Sequence, residues 1–191
     1  SAVNVTASGL ELRNNSGKNQ MINLAKARLN NAMRTFKNNI SIDVYSDGTA
    51  SNQMNGLQAL VADAGTGTVG GINSSTYTFW KNKVQSAASP LQGGGAITPS
   101  KTTIQSLMLA LWLELSRGGD KPDLIPSSNE YFAMYEESLT DLKRYTDDGK
   151  AQGGFTSLKY KTADVIFDGG SLGGGISSAH MYFLNTDFIR M

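Results

Sequence analysis

His180 is the chain's one histidine, and there is no cysteine. Those two facts bound the chemistry. Without cysteine there is no disulfide, no thiolate nucleophile and no cysteine-based zinc site. A multi-histidine metal centre cannot form, and Ser–His–Asp catalysis would have to run through His180. Asp164 or Asp168 would then be the orienting acid, and Ser177 or Ser178 the nucleophile. Neither serine sits in a G-x-S-x-G elbow. His180 opens the apolar run Met181-Tyr182-Phe183, which favours a structural histidine over a catalytic one.

Gly65-Thr-Gly-Thr-Val-Gly70 matches the dinucleotide pattern G-x-G-x-x-G. That chemistry needs a strand before it, a helix after it and an acid about 20 residues on. Here another glycine and Ile72-Asn73-Ser74 follow and no such acid is present, so a loop is expected. No G-K-[ST] closes either glycine-rich stretch. Asp147, Asp148 and Asp168 lie in glycine turns, and Glu136 and Glu137 are adjacent on a helix, about 100° apart. None makes a glycosidase pair or a calcium cluster. Tyr77, Phe79 and Trp80 form an aromatic patch, but Trp80-Lys81-Asn82-Lys83 is the one local mix of ring and cation that base stacking would use. No catalytic, cofactor-binding or metal-ligating set is therefore expected.

The elements that carry these residues are legible in part. Residues 1–15 read as an extended lead-in. Ile22, Ala25, Leu29, Ala32, Met33, Phe36 and Ile40 share one stripe, so 16–39 is a long amphipathic helix, with Ser16 as its cap. Its basic residues Lys26, Arg28, Arg34 and Lys37 belong to a solvated face. Residues 41–48 read as a strand through Ile42 and Val44, followed by a short apolar piece from Met54 to Val61. A second helix is expected over 99–117, capped by Thr98 with Pro99 at its first position. Ile104, Leu107, Met108, Leu111, Trp112 and Leu115 form one apolar face and Leu109 and Leu113 a second, which predicts burial on both sides. Asp123–Ser127 is a strand. Ser127 and Glu130 have capping-box spacing for a third helix over about 128–145, with Tyr131, Phe132, Tyr135, Leu139 and Leu142 inward. Residues 155–168 and 179–185 read as strands. Helices and strands mix without βαβ regularity, which predicts an α+β fold.

With 17 basic and 16 acidic residues the net charge is +1, so nothing draws the whole chain to nucleic acid or a charged membrane. No apolar run approaches the ~20 residues that span a bilayer, and no signal peptide is visible. Only 17% of the 191 residues are charged, against roughly 25% in ordinary soluble domains. That surface favours protein–protein contact. The chain starts at Ser1 and stops at Met191, just beyond the apolar pair Phe188-Ile189, and is expected to be a fragment of a longer product.

Several short blocks, in order, carry a resemblance. They are Gly56-Leu-Gln-Ala-Leu-Val-Ala-Asp63, Gly71-Ile-Asn-Ser-Ser-Thr-Tyr77 with Trp80, Asp123-Leu-Ile-Pro-Ser127, Phe155-Thr-Ser-Leu-Lys159, Ala163-Asp-Val-Ile-Phe-Asp168 and His180-Met-Tyr-Phe-Leu-Asn-Thr186. Over most of residues 10–191 the chain resembles the major capsid proteins of tailed bacteriophages, with the Hong Kong 97-like fold. The resemblance implies an α+β subunit in three parts. Residues 1–40 would be the end of an extended loop and a spine helix, 41–120 a peripheral-type domain and 121–191 an axial-type domain. It implies a non-enzymatic structural role in the virion, after assembly in the bacterial host cytoplasm. The partners would be copies of the chain in pentamers and hexamers, a possible scaffolding protein and, nonspecifically, packaged double-stranded DNA. No membrane contact and no cofactor are implied. A monomeric binding module using Tyr77–Trp80 and a hydrolase using His180 with Ser177 or Ser178 are the alternatives.

Overall fold

The computed structural model describes residues 3–14, 17–139, 158–169 and 175–189. It is α+β and divides into two compact units, residues 1–60 and 61–191.

The first unit is built on helices. Ser8 and Glu11 form a capping box: Ser8 N–H donates to Glu11 Oε2 at 3.1 Å, and Glu11 N–H donates to Ser8 Oγ at 3.2 Å. It opens α1, Gly9–Asn14, where an extended lead-in was expected. The Ser-x-x-Glu spacing carries that signal. Helix α2 spans Lys18–Val44, so Ile42 and Val44 belong to its last turn and not to a strand. Once nucleated, a helix adds residues cheaply, and nothing between Asn38 and Val44 is glycine or proline. At 1.5 Å per residue the helix is roughly 40 Å long. The expected cap Ser16 lies outside the described residues. The helix ends where Tyr45 N–H reaches Ile42 O, and Ser46 Oγ donates to Asp43 O and Met54 O. The returning chain crosses that end at Gly56. A Cβ there would stand 2.4 Å from Asp43 O and 2.6 Å from Val44 O, so only glycine fits. Then comes α3, Leu57–Leu60, in which Leu57 is buried.

The second unit begins with a small antiparallel hairpin, β1 (Thr68–Val69) and β2 (Ile72–Asn73), pairing Val69 with Ile72. Gly70 and Gly71 have φ of +60° and +80°. Both central residues are left-handed, as a tight two-residue hairpin turn demands. This is what the G-x-G-x-x-G stretch builds. A single 3₁₀ turn follows at Thr78–Trp80.

Helix α4 spans Ile104–Leu115, starting five residues later than Pro99 predicts. Hydroxyl groups hold the preceding turn: Ser100 N–H donates to Thr103 Oγ1 at 2.9 Å, and Thr103 Oγ1 donates to Thr98 O at 2.8 Å. Such local bonds compete with helix. Strand β3 (Leu124–Ser127) leads into α5 (Asn129–Ser138). The predicted Ser127–Glu130 capping box does not form. Ser127 Oγ bonds Ser128 O, and Glu130 reaches residues 178–179. Residues 140–145 of the expected helix, Leu142 included, lie outside the described residues.

Residues 158–167 form a hairpin and not one strand. Its strands are β4 (Leu158–Tyr160) and β5 (Ala163–Phe167), turned at Lys161, whose φ is +53°. The sheet order is β3-β5-β4, with β3 parallel to β5 in the register Leu124–Asp164 to Ser127–Phe167. The expected strand over 179–185 lies along the free edge of β3 as two isolated antiparallel bridges, Ser127 with Met181 and Leu124 with Leu184. Tyr182 N–H donates to Pro126 O at 3.0 Å and Leu184 N–H to Leu124 O at 2.9 Å.

One core joins α4, α5 and the sheet: Ile104, Met108, Trp112, Ile125, Phe132, Tyr135, Leu158, Ala163 and Val165. Tyr135 is 2% exposed, and its hydroxyl donates to Lys159 O at 2.8 Å. A buried phenol needs such a partner. Burial, with Tyr160 beside it, pushes that hydroxyl up to about 12. Gln105 Nε2 ties α4 to Ser138 Oγ of α5 at 2.9 Å. The second apolar face expected of α4 is not buried: Leu109 and Leu113 are 40% and 64% exposed.

Candidate functional site

His180 stands at the start of the edge segment along β3. Its Nε2 lies 3.0 Å from Asp63 Oδ2 and its Nδ1 2.7 Å from Ser178 O, and its ring stacks on Tyr182 at 6.2 Å. The carboxylate beside it is thus that of Asp63, not Asp164 or Asp168. Asp63 follows the apolar turn at 57–60, and nothing in the spacing of the sequence links it to a residue so distant.

Of the two serines that a hydrolase would use, Ser178 is not on the ring. Ser178 Oγ donates to both oxygens of Glu130, at 2.9 and 3.0 Å, and Ala179 N–H donates to Glu130 Oε2 at 2.8 Å. Glu130 therefore clamps the 178–179 turn, in which Ala179 takes a φ of +58°. With both ring nitrogens on oxygen acceptors and the Ser178 hydroxyl on a carboxylate, the arrangement braces a loop. It does not place the Ser178 hydroxyl on the imidazole.

The braced loop forms one wall of a cavity of about 470 Å³, within the size range of small-molecule pockets. Leu107, Leu111 and Leu115 of α4 form another wall, residues 81–87 a third, and Tyr131, Met181 and Phe183 complete it. Burial pushes the Tyr182 hydroxyl up to about 12, with Asp63 adding to the shift. The lining is mostly apolar but includes Asp63, Lys81, Lys83 and His180, so the cavity can take an apolar group that carries a polar end.

Tyr77, Phe79 and Trp80 are brought together as expected. Their rings meet edge to face at 6.1 and 6.5 Å, and they are 53%, 79% and 46% exposed. A local turn holds them out: Thr76 and Tyr77 N–H donate to Asn73 O, and Asn73 Oδ1 accepts from Ser75 N–H at 2.8 Å. Exposed aromatic rings of this kind are what protein interfaces enrich. The outward Leu109 and Leu113 of α4 add further exposed apolar surface, with Lys83 paired to Glu114 at 2.5 Å beside them.

In the first unit, α2 exposes Ile22, Leu29, Met33, Phe36 and Ile40, by between 36% and 57%. Arg28 is held by Glu11 at 2.5 Å. The Ser8 backbone N–H, with Arg28 nearby, holds the Glu11 carboxyl below its usual range.

Among the described residues no cluster of three histidine or acidic side chains could hold a metal ion, and no helix is long and apolar enough to cross a membrane. No protein-family model, no curated protein and no solved structure matches the chain.

Proposed function

We propose that this chain is the core of a shell-forming structural subunit, of the tailed-phage major capsid type with the Hong Kong 97-like fold. In that role it forms pentamers and hexamers of an icosahedral shell around double-stranded DNA. The observation that carries the reading is that both units expose large apolar side chains at several places. These are the α2 seam in one unit, and Tyr77–Trp80 and Leu109–Leu113 in the other. A shell subunit meets several neighbours at once, and each contact needs its own apolar surface. A net charge of +1 leaves only weak, nonspecific contact with packaged DNA. In this reading α2 is a stiff beam, the product resides in the virion after assembly in the host cytoplasm, a scaffolding protein is a possible partner, and the role is not enzymatic.

Electron microscopy of the full-length gene product tests this directly. Shells, rings or tubes are expected. A monomer at high concentration, with any scaffold co-expressed, would overturn the reading.

The exposure of Tyr77, Phe79 and Trp80 favours one second reading, a monomeric binding module. It predicts a saturable ligand lost on Phe79→Ala and no assembly. The hydrolase alternative has the geometry of His180 and Ser178 against it.

A further inference from the structure

The cavity walled by α4 and the braced loop lies wholly within the second unit, and the charges of its lining divide unequally. Asp63 is the one carboxylate of the lining, and His180 Nε2 stands 3.0 Å from it. Lys83 is paired with Glu114 at 2.5 Å. Lys81 is left over: among the described residues no acceptor meets its Nζ.

Two phenols of the lining are in the same position. Tyr182 is 7% exposed and Tyr131 is half-buried, and neither hydroxyl has a hydrogen-bond partner among the described residues. A buried phenol ordinarily has one, as Tyr135 has in Lys159 O. Burial raises both hydroxyls, with Glu130 adding to the shift at Tyr131 and Asp63 at Tyr182, so both keep their protons and can donate. The unpaired charge of the lining is thus an ammonium, which only donates, and its unpartnered buried hydroxyls are donors as well. Such a set selects an acceptor, and the ammonium selects an anionic one.

These groups meet in one region of the wall. Asn82 Nδ2 donates to Ala62 O at 3.0 Å, which brings Lys81 to the segment at 62–63, and Asp63 lies beside both His180 and Tyr182. Ile104, Leu107, Met108 and Leu111 of α4 give the cavity an apolar wall. A volume of about 470 Å³ has room for an alkyl chain along them.

We propose that this cavity binds a small aliphatic carboxylate. Its alkyl chain lies along the α4 leucines, and its carboxylate accepts from Lys81 Nζ and the Tyr182 hydroxyl.

The test uses the intact 191-residue chain and three probes with the same tail: decanoate, decan-1-ol and decylammonium, each below its micellar concentration. Isothermal titration calorimetry is expected to show one saturable decanoate site, at least about tenfold tighter than either twin. Lys81→Met, at an exposed side chain, should lower decanoate affinity at least about tenfold and leave decan-1-ol unchanged. Tyr182→Phe should lower it at least about fivefold, again for decanoate alone. Leu115→Trp, at a half-buried position of the wall, should weaken all three probes by narrowing the cavity. Equal affinity for the three probes or no saturable decanoate binding would overturn the proposal. So would tighter binding of decylammonium, which would make Asp63 the selecting group. Decanoate binding that neither Lys81→Met nor Leu115→Trp alters would place the probe elsewhere on the surface and overturn it too. The inference goes beyond the shell reading and does not rest on it. Shells from a full-length product that ignores decanoate would sink this inference alone, and a non-assembling product that binds it would sink the shell reading alone.

Discussion

Helices α2 and α4 carry the same kind of signal and meet different fates. In both, large apolar side chains recur at three- and four-residue steps. In α4 the stripe Ile104, Met108, Trp112 closes against α5 and the sheet, with each side chain 5% exposed or less. In α2 the stripe Ile22, Leu29, Met33, Phe36, Ile40 is 36–57% exposed. Amphipathic periodicity says that a face is meant to be covered; it does not say by what. Leu109 and Leu113 make the same point within α4, where a helix apolar on two sides is covered on one.

The sharpest test of this contrast is a pair of truncations. Trp112 is 5% exposed, packs edge to face on Tyr160 at 5.7 Å and lies under Lys161 Nζ. Trp112→Ala should cost about 3–5 kcal/mol in denaturant unfolding. Phe36→Ala, at a side chain 42% exposed, should fall within about 0.5 kcal/mol of the parent. Equal losses would break the comparison, because α2 would then be covered within the monomer.

Next in size is Gly56→Ala, which drives a methyl into Asp43 O and Val44 O at the end of α2. It should cost roughly 1–3 kcal/mol as an overpacking change. Hydrogen exchange should speed up at Tyr45 and Ser46, whose amides bond Ile42 and Asp43 there. Unchanged protection would mean that the crossing is looser than drawn.

A smaller effect separates the second unit by pH. Tyr135 and Tyr182 are raised from 10.0 to about 12, chiefly by burial. The folded state holds their protons more tightly than the unfolded chain. Their contribution to stability is therefore intact below pH 10 and declines as pH rises through 10 to 12. Ultraviolet titration of the folded chain should show a late phenolate fraction that Tyr135→Phe diminishes. A single transition near 10 would contradict their burial.

The smallest effect belongs to the first unit. Glu11 is lowered by the Ser8 amide and by Arg28, so its contribution is present at neutral pH. It is lost as pH falls below the ordinary 4.5 through the depressed value. Ser8→Ala should fray α1 at any pH, seen as faster amide exchange at Glu11, and leave the melting of the second unit unchanged.

How much of this the sequence disclosed follows from the range of each interaction. The mixed α+β class, the stripes of α2 and α4, strand β3 and the inward Phe132 and Tyr135 all rest on local pattern, and the structure keeps them. The misreadings arose where two local patterns compete. Ile42 and Val44 alternate like a strand but continue a helix already running. Thr98-Pro99 looks like a helix start, yet the hydroxyls of Ser100 and Thr103 hold a turn first. Ser127 and Glu130 have capping spacing, but Glu130 has a better use in clamping Ser178 and Ala179. The Asp63–His180 pair had no local signature at all, because only the folded sheet edge brings the two together.

The parallel pairing of β3 with β5 has a consequence in time. β4 and β5 can zip together as a neighbouring hairpin on the microsecond scale. β3 gains its first edge partner only when Asp164 arrives some forty residues later, and its second only when Met181 and Leu184 do. Such long-range closures slow folding. A chain emerging from the ribosome would expose the apolar edge of Leu124 and Ile125 until Met181 and Leu184 were made. For that interval β3 is the segment most open to capture by another chain.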